Sequence, residues 1–137
     1  MRHVTARAVV DRYLAALNAH DVDAIAACVA PDFVNEHTST LGTTRVGQDE
    51  YRAALPLFLR QFADLHYEPE DVIVDGDRAA VAYRMTAQWI DDGGTRHAIA
   101  IRGVFRFLVA NGLIARRVDY WDSADFQRQV VPGQARQ

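Results

Sequence analysis

The sequence contains no lysine, so all fifteen of its basic residues are arginine. This absence excludes two common kinds of site, the lysine that forms a Schiff base with a carbonyl substrate and the phosphate-binding lysine of a nucleotide loop. The adjacent glycines Gly93 and Gly94 indicate a hairpin turn rather than a phosphate cradle. We therefore expect no nucleotide site and no cofactor.

Cysteine is nearly absent as well. Cys28 is the single cysteine, so no intrachain disulfide can form, and its place in a predicted helix is typical of a buried structural thiol. The five histidines are far apart in the sequence, and no cluster of histidine, cysteine and aspartate has the spacing of metal ligands. We expect no metal site.

Long apolar runs and clusters of positive charge are also missing. No stretch is long enough to span a bilayer and the N-terminus lacks an apolar signal core, so we expect no membrane association and a cytoplasmic location. The net charge is −3 and the arginines are scattered, which argues against nucleic acid as a partner.

What the chain does have is a composition suited to one folded domain. Its 137 residues are 50% hydrophobic and 24% charged. A chain of this length buries roughly two thirds of its unfolded surface, which is enough for a core and an internal pocket. We predict a single domain over residues 1–131 and a disordered tail over residues 132–137.

The first half of the chain has the periodicity of helices. Residues 4–19 place Val10, Tyr13, Leu14 and Leu17 on one face, as in an amphipathic helix. Asp21 is the predicted N-cap of a second helix, which carries Ile25 and Val29 and ends at residues 30–32. The predicted elements that follow are an extended segment (33–37), a polar loop (38–44) and a helix (48–63) that Pro56 should kink.

The second half has the pattern of strands joined by tight turns. Asn111-Gly112 lies between two β-type runs and is a strong hairpin signal. The predicted elements are strands at 66–75, 78–90, 96–110 and 114–122, and a short helix at 124–130. Helices followed by a meander of strands predict an α+β fold. We expect a strongly curved, mainly antiparallel sheet with the N-terminal helices packed in its concave face, a cone-shaped α+β barrel whose interior forms a ligand pocket.

The last strand places a carboxylate among aromatic residues. Strand alternation puts Arg117, Asp119 and Trp121 on one face. A charged side chain is costly to bury unless something pairs with it or uses it. Asp119 is therefore either a general base in an apolar pocket or a partner in a structural salt bridge with Arg117 or a strand neighbour. Asp122, at the end of the strand, is explained by capping the helix that follows.

Five segments of the chain together resemble one known superfamily. They are Tyr13–Asp21, Pro31–His37, Gly103–Phe107, Asn111–Ile114 and Asp119–Asp122. In this order they are similar to the SnoaL-like polyketide cyclase branch of the nuclear-transport-factor-2-like, or ketosteroid isomerase-like, superfamily. The resemblance covers nearly the whole chain and implies the cone-shaped fold. It specifies the activity less closely, because this fold hosts isomerases, cyclases, epoxide hydrolases, dehydratases and binding domains.

The resemblance also implies roles for individual residues. Asp119 matches the acid/base aspartate that the last strand offers to the pocket in cyclase and limonene-epoxide-hydrolase-like relatives. His37 matches a histidine or asparagine at the end of the early extended segment. The Arg-x-Asp pair of the hydrolases corresponds here to Arg84-Met85-Thr86, which lacks the second carboxylate and so disfavours the hydrolase activity.

Further residues are candidates for the same pocket. Tyr13 could donate its hydroxyl hydrogen to an enolate oxygen, although a core tyrosine with a satisfied hydroxyl is commoner. His37 could bind a substrate carbonyl or pair with Asp119, or could be satisfied by loop backbone. The predicted substrate-binding residues, each with a simpler role in the core or on the surface as its alternative, are Phe33, Phe58, Arg84, Trp89, Arg117 and Trp121.

The favoured function is cofactor-free proton transfer on a small apolar carbonyl compound, in a cyclase or isomerase reaction with Asp119 as base. One alternative is a non-catalytic small-ligand-binding or dimerisation domain, and another is epoxide hydrolase or dehydratase chemistry in which Asp119 activates water. The resemblance further implies a homodimer formed through the convex faces of two sheets.

Overall fold

The computed structural model describes residues 4–130, and within them the chain forms four helices and six strands. In chain order they are α1 (Ala6–Asn18), α2 (Val22–Ala27), β1 (Val29–His37), β2 (Arg45–Val46), α3 (Gln48–Gln61), β3 (Phe62–Asp75), β4 (Arg78–Ile90), β5 (Arg96–Ala110), β6 (Leu113–Trp121) and α4 (Ser123–Val130). The mixed α+β class is confirmed. The tail predicted to be disordered lies outside the described residues.

The six strands form one curved, unclosed sheet in the order β2-β1-β6-β5-β4-β3. Every neighbouring pair is antiparallel except β1 and β6, which are parallel. The hairpin between β5 and β6 turns through Asn111 and Gly112 with φ of 54° and 74°, as expected for a tight turn that requires two positive φ values. The expectation of a mainly antiparallel sheet is confirmed.

Helix α1 packs its apolar stripe into the concave face of the sheet. Val10, Tyr13, Leu14 and Leu17 are all buried, as the periodicity predicts. Burial of each such side chain contributes roughly 1.5–3 kcal/mol. The end of α1 is held by Asn18, whose amide pairs with both the backbone N–H and the carbonyl of Tyr67 in β3 at 2.8 and 3.0 Å.

Two caps begin helices where the sequence predicts them. Asp21 accepts a hydrogen bond from the N–H of Ala24 at 3.1 Å and starts α2. Asp122 accepts from the N–H of Ala124 at 2.9 Å at the start of α4, which confirms its capping role. Helix α3 runs through Pro56 without ending there.

The predicted boundary of the second helix is wrong. α2 ends at Ala27, and Val29 begins β1, where it pairs with Ile114 of β6 and is completely buried. A β-branched side chain fits this sheet position well. Pro31 lies where the pairing between β1 and β6 shifts register, so its missing N–H costs no ladder hydrogen bond.

Candidate active site

A cavity of about 260 Å³ lies between the inner face of the sheet, α3 and the loop that joins β1 to β2. Most of its wall is apolar, and its arginine, histidine and aspartate side chains lie on β1, β2 and β6, which together form the polar wall. The lining residues are Leu17, Asn35, His37, Leu41, Gly42, Thr43, Arg45, Tyr51, Ala54, Leu55, Leu57, Phe58, Gln61, Phe62, Tyr67, Tyr83, Met85, Ile101, Arg117, Asp119, Trp121 and Phe126. An apolar cavity with a few polar groups on one wall is typical of a small-molecule site.

The parallel pairing of β1 with β6 brings the polar residues together. His37 lies opposite Asp119, and Asn35 lies opposite Arg117. Arg117, Asp119 and Trp121 share one face of β6, as strand alternation predicts, and this is the inner face, because all three line the cavity. Sequence alone left the facing of this strand open.

Asp119 is buried in the cavity wall, with 4% of its surface exposed. Its Oδ1 accepts a hydrogen bond from the Tyr83 hydroxyl at 2.6 Å. No N–H or O–H group of residues 4–130 donates to Oδ2, yet no fully buried side-chain oxygen in that range lacks a partner. Oδ2 is therefore the oxygen that the cavity can reach.

The pKa of Asp119 is raised because burial removes water from the carboxylate. The positive charge of Arg117 and the hydrogen bond from Tyr83 act in the opposite direction and keep the rise smaller than burial alone would make it. A carboxylate with a raised pKa is a stronger base than one in water.

His37 faces Asp119, but the two do not form an ion pair. Its Nδ1 lies 3.6 Å from Oδ2 of Asp119 and accepts a hydrogen bond from Nε1 of Trp121 at 3.3 Å. Burial, with the nearby charges of Arg117 and Arg45, lowers the pKa of His37 to about 3. The ring is neutral at pH 7, and because Nδ1 accepts from Trp121, the proton sits on Nε2.

Arg117 is a buried cation, with 5% of its surface exposed. Its Nε donates to Oδ1 of Asn35 at 2.9 Å and its Nη1 donates to the Tyr13 hydroxyl at 2.7 Å. The guanidinium also lies over the ring of Phe105, 4.6 Å from its centre. Burial alone would lower the pKa of Arg117, but the surrounding tyrosines and Asp119 raise it overall, so it stays charged.

The Nη2 group of Arg117 is directed at the cavity. No residue among 4–130 accepts a hydrogen bond from it, and no fully buried side-chain nitrogen in that range is without a partner. Nη2 must therefore be reachable from the cavity that Arg117 lines. This gives the cavity one acceptor, Oδ2 of Asp119, and one cationic donor on the same strand.

Tyr13 lies behind the cavity wall rather than in it. It is fully buried and is not among the lining residues, and its hydroxyl shares a 2.6 Å hydrogen bond with that of Tyr51 while accepting from Arg117. Burial raises the pKa of the Tyr13 hydroxyl well above its ordinary value. Tyr13 therefore fixes the guanidinium of Arg117, and the predicted direct bond to an enolate does not fit its position.

Three of the predicted substrate-binding residues line the cavity and three do not. Phe58, Arg117 and Trp121 contribute to the wall. Phe33 is buried behind it against Tyr51, with ring centres 4.9 Å apart, because it comes from the irregular part of β1.

Arg84 and Trp89 lie elsewhere on β4. Arg84 is exposed on the outer face, because it alternates with the buried neighbours Tyr83 and Met85. Trp89, near the end of the strand, packs on His97 and Phe126 outside the cavity lining.

Sequence reasoning missed Tyr83, Asn35, Arg45 and Tyr51. The signal for Tyr83 was present, since Ala79, Val81, Tyr83, Met85 and Ala87 form the apolar half of an alternating strand. Tyr83 reaches Asp119 across Gly103, which lies opposite Tyr83 in the register of β4 and β5. A Cβ atom at Gly103 would come within 2.6 Å of Cζ of Tyr83.

No group of three or more histidine, cysteine, aspartate or glutamate side chains within residues 4–130 is placed to hold a metal ion. None of the helices in that range has both the length and the apolarity that crossing a membrane would need.

The fold is shared with solved structures. A candidate SnoaL-like polyketide cyclase from Shewanella denitrificans OS-217 superposes with a TM-score of 0.83 at 18% identity, over 91% of this chain and 96% of that chain. A candidate polyketide cyclase from Pseudomonas putida KT2440 gives a TM-score of 0.79 at 25% identity, over 94% of this chain and 100% of that chain.

A third similar structure is that of TerC, which was co-crystallised with polyporic acid. Its TM-score is 0.76 at 19% identity, over 90% of this chain and 96% of that chain. Among curated proteins, none matches the sequence. These likenesses define the class as a nuclear-transport-factor-2-like α+β fold.

The sequence itself assigns the family within that class. The model of the SnoaL-like domain matches residues 10–117, which is more than half of the chain. The chain therefore belongs to the SnoaL-like domain family, as the resemblance of its motifs predicts.

Proposed function

We propose that this protein is a cofactor-free enzyme that moves a proton on a small apolar carbonyl compound, with Asp119 as the general base. The observation that carries the proposal is the state of the Asp119 carboxylate. One of its oxygens is held by Tyr83, and the other is open to an apolar cavity and accepts from no group of residues 4–130. A carboxylate placed in this way is ready to accept a proton from a bound molecule.

In the proposed step, Oδ2 of Asp119 removes a proton from the carbon next to the substrate carbonyl. The electrons of the broken C–H bond move into the carbonyl, which becomes an enolate. Arg117 and Asp119 are two residues apart on one strand, so their Cα atoms are separated by about 6.6 Å and their side chains share a face. A carbonyl oxygen against Nη2 of Arg117 thus leaves its neighbouring carbon within reach of Asp119.

Other residues of the cavity wall support Asp119 as the group that removes the proton and Arg117 as the group that binds the carbonyl oxygen. Tyr13 and Asn35 fix two of the three nitrogens of the Arg117 guanidinium, so that it need not reorient as charge develops on the substrate oxygen. His37 is neutral and presents a lone pair, so it does not neutralise Asp119. The apolar wall of α3 keeps water from the carbanion.

Return of the proton to a different atom would give isomerisation, and attack of the enolate carbon on a second carbonyl of the same molecule would give aldol cyclisation. The similarity to candidate polyketide cyclases supports the second outcome. Asp119 is the single carboxylate among the lining residues that the structure describes. This favours proton transfer over the epoxide hydrolase alternative, because the segment Arg84-Met85-Thr86 that matches the hydrolase pair has no carboxylate and its Arg84 lies on the outer face of the sheet.

Exchange of α-hydrogens for deuterium tests the proposal without knowledge of the natural substrate. We expect the protein to accelerate deuterium uptake by 2-tetralone in D₂O, followed by NMR, above the rate in buffer. Asp119→Asn should reduce this acceleration about 10²- to 10⁴-fold, the usual contribution of a general base. Asp122→Asn is the matched control, because Asp122 caps α4 and lies outside the cavity lining. Equal exchange in wild type and Asp119→Asn would exclude Asp119 as the base.

Assembly and location are predicted from the sequence alone. The homodimer through the convex sheet faces and the cytoplasmic location stay predictions. Light scattering on the purified protein measures the first of them, and a monomer at micromolar concentration would contradict it.

A further inference from the structure

Three hydrogen-bond donors form a row across the polar wall of the cavity. Arg45 of β2 pairs with Asn35 of β1, and Asn35 pairs with Arg117 of β6. All three side chains line the cavity, so they lie on the same face of three neighbouring strands. Adjacent strands are about 4.8 Å apart, which places the two arginines roughly 10 Å apart at their Cα atoms with the asparagine between them.

The orientation of the Asn35 amide is set by its neighbour. Arg117 can only donate, so the atom of Asn35 that bonds its Nε at 2.9 Å is the oxygen. The amide nitrogen Nδ2 then has no acceptor among residues 4–130, and since no fully buried nitrogen in that range lacks a partner, it is open to the cavity. Asn35 is 95% buried, so this open N–H group lies in the wall of the cavity and not on the outer surface of the protein.

Arg45 has no carboxylate partner, although five other arginines of residues 4–130 do. Ion pairs within 4.0 Å join Arg7 to Asp11, Arg52 to Asp23, Arg102 to Glu70, Arg116 to Glu36 and Arg128 to Asp125. No carboxylate of residues 4–130 lies within that distance of Arg45, although the side chain is half-buried against the cavity.

Arg45 and Arg117 place two positive charges at the cavity, where Asp119 supplies one carboxylate. Burial lowers the pKa of His37, and both arginines lower it further; His37 lies opposite Asp119, two residues along β1 from Asn35. Asp119 is the only carboxylate in the described lining, so the polar wall has two positive groups against one negative group even when Asp119 is ionised. Cations removed from water are costly unless an anion compensates them.

We propose that the substrate of this cavity is an organic acid, whose carboxylate binds to Arg45 and to Nδ2 of Asn35 while its reacting carbonyl binds to Nη2 of Arg117. The inference rests on the proposed function for the position of the carbonyl. The carboxylate site rests on the row of donors alone. A guanidinium and an amide N–H beside each other suit the two oxygens of a carboxylate.

Binding of 2-naphthoate and of its methyl ester tests the proposal. Both are planar two-ring compounds of nearly the same shape, and they differ in the anionic group. By isothermal titration calorimetry at low salt, we expect wild type to bind the acid at least tenfold more tightly than the ester. Arg45→Gln should remove most of that preference, with about a tenfold loss for the acid and an unchanged affinity for the ester.

Arg84→Gln is the matched control, because it removes the same charge from the outer face of the sheet. It should leave the affinity for both compounds as in wild type. Three results would overturn the proposal: no measurable binding of the acid, equal binding of acid and ester, or a loss in Arg84→Gln as large as that in Arg45→Gln.

The same binding measurements distinguish a failure of this inference from a failure of the proposed function. Asp119→Asn should bind 2-naphthoate at least as tightly as wild type, since it removes a negative charge from the wall. Failure of proton transfer therefore shows in deuterium exchange, whereas failure of the anion site shows in the preference for the acid.

Discussion

Two aspartate–histidine pairs lie within residues 4–130, and they have opposite surroundings. Asp91 and His97 lie at the hairpin between β4 and β5, with Oδ2 of the aspartate 2.9 Å from Nε2 of the histidine. The other carboxylate oxygen of Asp91 accepts from the N–H groups of Gly93 and Thr95 at 3.0 and 2.9 Å. The hydrogen bond from His97, followed by that from Thr95, lowers the pKa of Asp91.

Asp119 and His37 form the second pair, in which neither side chain satisfies the other. Both present an acceptor to the 3.6 Å gap between Oδ2 and Nδ1, because Nδ1 already accepts from Trp121. Burial raises the pKa of Asp119 and lowers that of His37. The same two residue types thus close a turn at one place and leave a carboxylate oxygen open to a cavity at the other. The difference is the number of donors that reach the carboxylate.

The largest expected difference between the two pairs is the loss of folding stability at low pH that His37 causes. Its pKa falls from about 6.5 in an unfolded chain to about 3 in the folded protein. Between these values the unfolded chain binds a proton that the folded protein does not, so stability falls as the pH falls. The loss sums to about 4–5 kcal/mol over the whole interval.

Urea unfolding between pH 7 and pH 4 measures this loss. The slope of the free energy of unfolding against pH should be clearly smaller in His37→Gln, whose side chain does not titrate. Identical slopes in wild type and His37→Gln would mean that His37 is not held neutral by the cavity wall.

The second effect concerns Gly103, whose missing side chain lets Tyr83 reach Asp119. A Cβ atom there would come within 2.6 Å of the carbonyl oxygen of Tyr120 as well as of the Tyr83 ring. Gly103→Ala should cost about 1–3 kcal/mol of stability, as forced overpacking does, and should reduce deuterium exchange by displacing Tyr83. Thermal unfolding and the exchange assay measure the two parts.

Gly93→Ala is the matched control in the turn of the other pair. There the added Cβ would meet Oδ1 of Asp91 at 3.5 Å, an ordinary contact. We expect Gly93→Ala to leave the rate of deuterium exchange close to that of wild type. If Gly103→Ala behaves like Gly93→Ala in both assays, Tyr83 is not positioned by the close approach to Gly103.

The smallest effect is expected at Asp122, the aspartate that directly follows β6. Its side chain caps α4 through the N–H of Ala124, so Asp122→Ala should cost about 1 kcal/mol of stability. Exchange should stay close to the wild-type rate in the folded protein. A loss of exchange comparable to that of Asp119→Asn would show that the two aspartates share the chemistry.

The sequence predicts most of the fold because the signals are local. The stripe on α1, the cap at Asp21 and the hairpin at Asn111-Gly112 each depend on neighbouring residues. The end of α2 was misplaced because Val29 is decided by its long-range pairing with Ile114. Tertiary pairing overrides a helical pattern of this length.

The candidate site is less predictable, because it depends on the register between distant strands. Asp119 and His37 could be proposed from the sequence, but the donors around them could not. Asn35 gains its role from lying opposite Arg117, eighty-two positions along the chain. The alternation of β4 places Tyr83 on the inner face and Arg84 on the outer face, so here a local pattern does decide which residue reaches the cavity.

The central claim is that Asp119 is a base whose pKa is raised by the cavity, and the direct test is its titration by NMR. In protein labelled with ¹³C at the aspartate carboxyl carbons, Asp119→Asn and Asp91→Asn identify the two signals by their loss. We predict that the Asp119 signal titrates at a pH above that of an ordinary aspartate and the Asp91 signal below it. An Asp119 signal that titrates together with Asp91, or below it, would contradict the account.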